Sequence, residues 1–267
     1  MALMELSSVS FTYSATTGEV EALRAIDLHV EAGEFLSIVG PSGCGKSTLL
    51  NLLGGLRAPT AGSVRFEGGR QDARIPRIGF VFQDAVLLPW RTVLDNVLLP
   101  SQILSLSGDF RGRARALVAT LGLAGFEANY PRELSGGMRQ RVAIARALLL
   151  DPEVLLMDEP FGALDAITRE RMGLELLHIW QGSRKTIVFV THSIPEAVLL
   201  SDRVVAMTAR PGRIRDVCPV NLARPRTTDA MEDEAYLAVC RRLRQLMLPP
   251  ESAAVSDLES RDSLRHA

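Results

Sequence analysis

Short runs of consecutive apolar residues, most of them branched, punctuate the chain: Phe35–Val39, Ile78–Phe82, Val154–Met157, Thr186–Val190 and Arg203–Met207. Continuous rather than alternating hydrophobicity marks strands buried on both faces, as in a parallel sheet covered by helices. Helical patterns separate these runs, beginning with Lys46 to Leu56 directly after the first, so the pattern predicts an α/β fold. Leu6–Tyr13 and Ala25–Val30 alternate instead and predict an antiparallel sheet at the N-terminus. Between about Trp90 and Leu150 the strand pattern disappears. Thr92–Leu99, Arg111–Leu121 and Gly136–Leu150 read as helices, a helical insertion between two strands of the core. After about Asn221 the character changes again. Asp229–Met247 reads as one helix with Asp229, Glu232, Asp233 and Glu234 first and Arg241, Arg242 and Arg244 last, an order that complements the helix dipole. Ala235, Val239, Leu243 and Leu246 give it an apolar stripe. The residues from Pro249 onward are expected to be mobile.

Composition narrows the function classes. The 267 residues are 47% hydrophobic and 23% charged, the balance of a globular protein. Thirty Lys and Arg against 31 Asp and Glu leave a net charge of −1, which argues against a strongly basic nucleic-acid binder. The longest apolar stretch, Val93–Leu106, is broken by Asp95, Asn96 and Pro100 and falls short of the roughly 18–20 residues that span a bilayer. The opening MALMELSSVSFTYS has no basic region ahead of an apolar one, so no secretory signal is expected. Cys44, Cys218 and Cys240 are scattered and form neither a disulfide framework nor a zinc pattern, which suits a reducing cytosol. Among the 30 basic residues only Lys46 and Lys185 are lysines, so a lysine is kept where an ammonium group is needed.

Lys46 lies in the sequence GPSGCGKST, formed by Gly40, Pro41, Ser42, Gly43, Cys44, Gly45, Lys46, Ser47 and Thr48. It follows an apolar strand and opens a helix, the setting in which G-x-x-x-x-G-K-[ST] binds phosphate. Glycines let successive backbone N–H groups turn inward as an anion nest, and the helix adds its positive N-terminal end. Lys46 is expected to reach the β- and γ-phosphates and Ser47 to ligate Mg²⁺. The thiol of Cys44 is expected beside the nucleotide, where alkylation would block ATP turnover. An acid at the end of a second buried strand should complete such a site, and VLLMDE supplies Asp158 and Glu159. Asp158 suits Mg²⁺ or its water shell, and Glu159 suits the base that accepts a proton from water. A solvated acidic pair at a strand end is the alternative for these two residues.

Leu134–Leu148 reads LSGGMRQRVAIARAL. With the phosphate loop, the DEP at 158–160, the ALD at 163–165 and the isolated His192, it resembles the ATP-binding subunit of an ABC transporter over about residues 5–215. Met138 departs from the glutamine common at the fifth signature position. The resemblance implies a phosphate-loop NTPase (RecA-like) core with an N-terminal antiparallel β subdomain and an inserted helical subdomain, an ATPase domain over residues 1–220, and ATP and Mg²⁺ as ligands. It implies that Ser135, Gly136 and Gly137 contact the γ-phosphate held by a second subunit, and that Asp165 reaches across the same interface. Ser135 also suits a plain helix cap. Gln83 would sense Mg²⁺ and the attacking water, His192 would contact the γ-phosphate and Glu159, and Tyr13 would stack on adenine. Ser193–Glu196 reads as a capping box behind His192. With one copy of each motif, a complete pair of sites needs a second chain, most simply an identical one.

The stretch Val81–Val97 with its LLPW element, and RPGRI at Arg210–Ile214, resemble the nitrate, sulfonate and taurine group of bacterial importers. For that group the implied partners are membrane permease subunits and, indirectly, an extracytoplasmic solute-binding protein, with the chain peripheral on the cytoplasmic face of the inner membrane. Leu87, Leu88 and Trp90 form a candidate groove for a permease helix, or else pack within the helical insertion. The transported substrate stays open among sulfonates, nitrate, bicarbonate and thiamine-precursor pyrimidines. Other importers, exporters and soluble ABC ATPases are the competing classes.

Overall fold

The computed structural model describes residues 2–248, except 16–17, 67–76, 163 and 184. The tail from Pro249 onward therefore lies outside the described residues. A six-stranded sheet forms the centre, ordered β5 (Ile78–Val81), β6 (Val154–Asp158), β7 (Thr186–Val190), β3 (Phe35–Val39), β8 (Arg203–Met207) and β9 (Ile214–Pro219). Every pairing is parallel except β8 with β9. β3 and β7 are buried at all five positions, as their unbroken apolar runs require.

Side chains alternate between two cores with the period of a strand. Phe35, Leu155, Met157, Ile187 and Phe189 face one cluster, which also takes residues of the helices α2 (Val93–Ile103), α3 (Phe110–Thr120), α4 (Gly136–Leu148) and α5 (Ala166–Ser183). Leu36, Ile38, Val154, Leu156, Val188 and Val190 face the other, with α1 (Lys46–Leu53) and the N-terminal strands. The N-terminal sheet is antiparallel, with β1 (Ala2–Ala15) between β2 (Gly18–Glu31) and β4 (Ala61–Phe66). Past β8, a third cluster seats α6 (Ile194–Leu200) and α7 (Glu234–Met247). No helix among the described residues is long and apolar enough to cross a membrane.

Several boundaries differ from the sequence reading for local reasons. α1 ends at Leu53 instead of Leu56, because Gly54 caps it and Gly55 turns left-handed. α2 runs on to Ile103 through Pro100, whose ring costs one helical bond without ending the helix. The single helix expected over Asp229–Met247 breaks at Asp233, whose extended backbone and side chain cap α7 through Ala235 N–H at 2.8 Å. The buried stripe of α7 is Tyr236, Cys240 and Leu243, while Ala235 is exposed. β4 and β9 had no counterpart in the sequence reading. Both are edge strands of mixed polarity, and their pairing is set by distant partners.

Candidate functional site

The phosphate loop joins β3 to α1, so it emerges at the carboxyl end of the sheet. Its last glycine has to be a glycine. Gly45 has φ +101°, and a Cβ there would stand 2.7 Å from Leu23 Cδ2 and 3.0 Å from the Ala22 carbonyl. The side chain of Lys46 is 6% exposed and curls back over the loop. Its ammonium donates to the carbonyls of Gly40 at 3.0 Å and Pro41 at 3.2 Å, and stands 3.7 Å from Glu159 Oε1.

β6 delivers the two acids. Burial pushes the Asp158 carboxyl above its usual range, a shift that a hydrogen bond from the Ser47 hydroxyl partly offsets. Asp158 Oδ1 is buried and has no hydrogen-bond partner. An orphaned carboxylate oxygen beside a serine hydroxyl fits Mg²⁺, which takes one or two protein oxygens and completes its shell with phosphate and water. No group of three or more His, Cys, Asp or Glu side chains is placed to hold a metal among the described residues. A Mg²⁺ ion that took only Ser47 and Asp158 from the protein would require none.

Glu159 sits one residue past β6 in the left-handed region, φ +43°, unusual for a residue with a side chain. The conformation is held by its N–H, which donates to the Val190 carbonyl at 2.9 Å. It separates the Glu159 carboxylate from that of Asp158 and sends it between Lys46 and His192, whose Nδ1 is 3.2 Å from Oε2. His192 leaves the end of β7 in a tight turn. Ser193 N–H donates to Thr191 Oγ1 at 3.0 Å, and the Thr191 hydroxyl donates in turn to the Glu196 carboxylate. Only half of the expected capping box forms: Ser193 Oγ accepts from Glu196 N–H at 3.4 Å, but the Glu196 side chain serves Thr191 instead of closing on Ser193. Burial pushes the Glu196 carboxyl up to about 6.

The phosphate loop and Glu159 share a cleft of about 540 Å³ lined by Tyr13, Ser42, Gly43, Gly45, Lys46, Ser47, Thr48, Gln83 and Glu159, while Asp158 and His192 stand just outside its lining, beside Ser47 and Glu159. Tyr13 stands at one end, its hydroxyl 2.9 Å from Thr48 Oγ1 and its ring 5.0 Å from the Arg57 guanidinium. Gln83 is exposed just past β5. Three further lining residues, Val20, Ala22 and Arg210, were not among the candidates. Nor was Gln140, which is buried and donates to the Phe82 carbonyl at 3.2 Å, tying α4 to the residue before Gln83. No local spacing signals these contacts.

Cys44 departs from expectation. It is 1% exposed, its Sγ would stand 2.8 Å from a Cβ at Gly40, and burial raises the pKa of its thiol. The thiol packs into the core and offers a reagent no surface, so the premise that alkylation blocks turnover fails. Cys218 and Cys240 are buried as well, and burial pushes Cys218 up to about 11. The native chain is expected to show no fast thiol toward a chromogenic disulfide at pH 8, and all three thiols after denaturation. One rapid equivalent in the native chain, mapped to Cys44 by mass spectrometry, would contradict this placement.

Ser135, Gly136, Gly137 and Asp165 lie apart from the residues lining the cleft. Ser135 Oγ accepts from Met138 N–H at 3.3 Å and caps α4, as the plain reading of this residue has it. Ser135, Gly136 and Asp165 are exposed. A Cβ on Gly137 would lie 3.5 Å from Leu164 and 3.6 Å from Thr168, so the α4 tip and the turn that carries Asp165 form one surface. Ala163 lies outside the described residues.

The chain is similar to known proteins over most of its length. The ABC transporter family profile matches residues 23–162. The chain is 46% identical over 224 residues to the aliphatic sulfonates import ATP-binding protein SsuB of Bacillus thuringiensis subsp. konkukian, covering 84% of this chain and 88% of that one. It is 45% identical over 220 residues to the nitrate import ATP-binding protein NrtD of a Synechocystis strain, covering 82% and 83%. A dimeric ATP-binding cassette solved in a post-hydrolysis state with ADP and Pi superimposes with a TM-score of 0.72 at 35% identity, covering 82% of this chain and all of that one. With relatives this close over most of its length, and a phosphate loop that shares one cleft with Glu159, the chain belongs to the ABC transporter family, among its ATP-hydrolysing cassettes.

Proposed function

We propose that this chain is the ATP-driven motor of an importer for a small anion, working as a homodimer against membrane permease subunits supplied by a solute-binding protein. The observation that carries this reading is the meeting of Lys46, Gln83, Glu159 and Tyr13 on one cleft while the α4 tip lies exposed elsewhere. A cleft that lacks its signature residues suits completion by a second copy. ATP would then lie between Gly40–Thr48 of one subunit and Ser135–Gly137 of the other, with Asp165 spanning the interface. Residues 1–220 would form the ATPase unit, and α7 an appendage packed behind α6.

In this reading Tyr13 stacks on adenine, the loop N–H groups and Lys46 hold the phosphates, and Ser47, Asp158 and Gln83 hold Mg²⁺. Bound by these residues, the ion would supply charge neutralisation at the phosphates. Glu159 takes the proton from the attacking water, and His192 orients Glu159 and meets the γ-phosphate. Loss of that phosphate opens the dimer and resets the permease. The relatives that import sulfonate and nitrate support an anionic substrate. A role in import, as in these relatives' names, suits a peripheral placement on the cytoplasmic face.

The permease contact is proposed at the loop after Gln83. Trp90 is 71% exposed, yet its loop is braced by hydrogen bonds. Fully buried Asn96 accepts from Leu88 N–H at 2.8 Å, and the two hydrogens of its Nδ2 are shared among the carbonyls of Leu88, Arg91 and Thr92 at 2.9–3.1 Å. Arg146 on α4 donates to the carbonyls of Ala85 and Val86, both at 2.8 Å. An exposed aromatic on a braced loop suits an interface anchor. Trp90→Ala is expected to weaken docking about 30-fold or more, as loss of an interface hot spot does. Substrate uptake in reconstituted vesicles should fall while ATP turnover of the isolated chain holds. Unchanged uptake would remove Trp90 from the coupling route, and failure of the wild-type chain to co-purify with any multispanning membrane protein would remove the transporter reading.

A further inference from the structure

The loop between β8 and β9 is seated on the phosphate loop. Gly212 N–H donates to the Ala22 carbonyl at 2.9 Å, and the Gly212 carbonyl accepts from Arg24 N–H at 3.0 Å, fixing the loop to β2. A Cβ on Gly212 would stand 2.0 Å from the Cys44 carbonyl, so only glycine permits the approach. This seating brings Arg210 to the cleft wall, where Nε and Nη2 both donate to the Gly43 carbonyl at 3.3 Å.

The charge balance of the cleft gives that position meaning. Its charged lining residues are Lys46, Glu159 and Arg210. Asp158 lies just behind Ser47, so two carboxylates stand against one ammonium, and that ammonium already serves two carbonyls. A Mg²⁺ ion at Asp158 would offset these two carboxylates, which leaves the triphosphate's own charge to Lys46 unless a further cation takes part. Arg210 is exposed, and among the described residues no carboxylate pairs with it. Its present partner is a neutral carbonyl at long range. A phosphate oxygen would offer a shorter, charge-assisted bond, roughly twice as strong.

We infer that Arg210 is a nucleotide-binding residue: its guanidinium leaves the Gly43 carbonyl for a phosphate of the bound nucleotide and adds a second positive charge to the site. The inference rests on reading the cleft as the nucleotide site. It assigns RPGRI a role at the phosphates in place of a purely structural turn.

Equilibrium binding of Mg-ATP and Mg-ADP to the intact chain tests it, by calorimetry across a series of KCl concentrations. Arg210→Gln should bind both nucleotides about tenfold more weakly, the scale of one lost charge-assisted hydrogen bond. Its affinity should also fall less steeply with salt than that of the wild type. Arg210→Lys should recover most of the affinity and the full salt dependence. Wild-type affinity in Arg210→Gln would overturn the assignment. So would a loss that keeps the wild-type salt dependence and that lysine fails to rescue, since that pattern marks a loop-holding role. A wild-type chain that binds neither nucleotide would instead remove the reading of the cleft on which the inference stands.

Discussion

Glu159→Gln is expected to lower ATP turnover by about 10²–10⁴, the contribution of a positioned general base, while leaving ATP binding intact. The substitution is nearly isosteric. The amide can still meet His192 Nδ1, now 3.2 Å from Oε2, and the left-handed backbone at φ +43° depends on the Val190 carbonyl, not on the side-chain charge. What disappears is the capacity to take a proton. A second effect follows from the 3.7 Å approach of Glu159 to Lys46. With the carboxylate gone, the ammonium faces the phosphates without a competing anion, so ATP should bind at least as tightly as to the wild type. Phosphate release under saturating Mg-ATP checks the first effect, and near-normal turnover would place the base on another residue. Small-angle scattering of the same variant checks the assembly. Saturating ATP should double the apparent mass, whereas monomers alone, with or without the permease, would dismantle the shared-site reading.

The parts of this molecule that were legible in the sequence are those in which a short segment carries its own constraint. Phe35–Val39 and Thr186–Val190 are buried on both faces, so every residue is apolar or small and the run announces itself. The phosphate loop declares itself through Gly45, whose neighbours Leu23 and Ala22 leave no room for a Cβ. β4 and β9 were illegible because each is an edge strand with half-exposed positions, specified by partners far along the chain. No local pattern in the sequence marks Arg210 as part of the cleft. Its place in the cleft comes from a hairpin that folds back across 167 positions to Gly43. Gln140 reaches Phe82 in the same nonlocal way. The direction of the Cys44 thiol depended on how the loop turns over the core, and spacing carries no information about that.

Lys46→Ala is expected to weaken ATP binding by roughly 10–10⁴, and Lys46→Arg to do nearly the same. The ammonium is the one basic group buried in the loop, and its donations to Gly40 and Pro41 hold it under the nest. A lysine ammonium has three donors and no preferred plane, so it can keep the two carbonyls and turn the third toward a phosphate. Alanine leaves both carbonyls without this donor and withdraws the charge. At about 1.5–3 kcal/mol for each hydrogen bond to a charged group, loss of one to two such bonds weakens binding by roughly 10–10⁴. Arginine keeps the charge but brings a planar fork with five donors into a space that leaves the present side chain 6% exposed. Arginine fills all but two of the 30 basic positions in this chain, so the lysine here reflects a demand that arginine does not meet. Calorimetry with Mg-ATP, alongside circular dichroism to show that both variants remain folded, separates the two ideas. Wild-type affinity in Lys46→Arg would mean that the site asks only for a positive charge, and the shape of the loop around the ammonium would then have no part in selecting it.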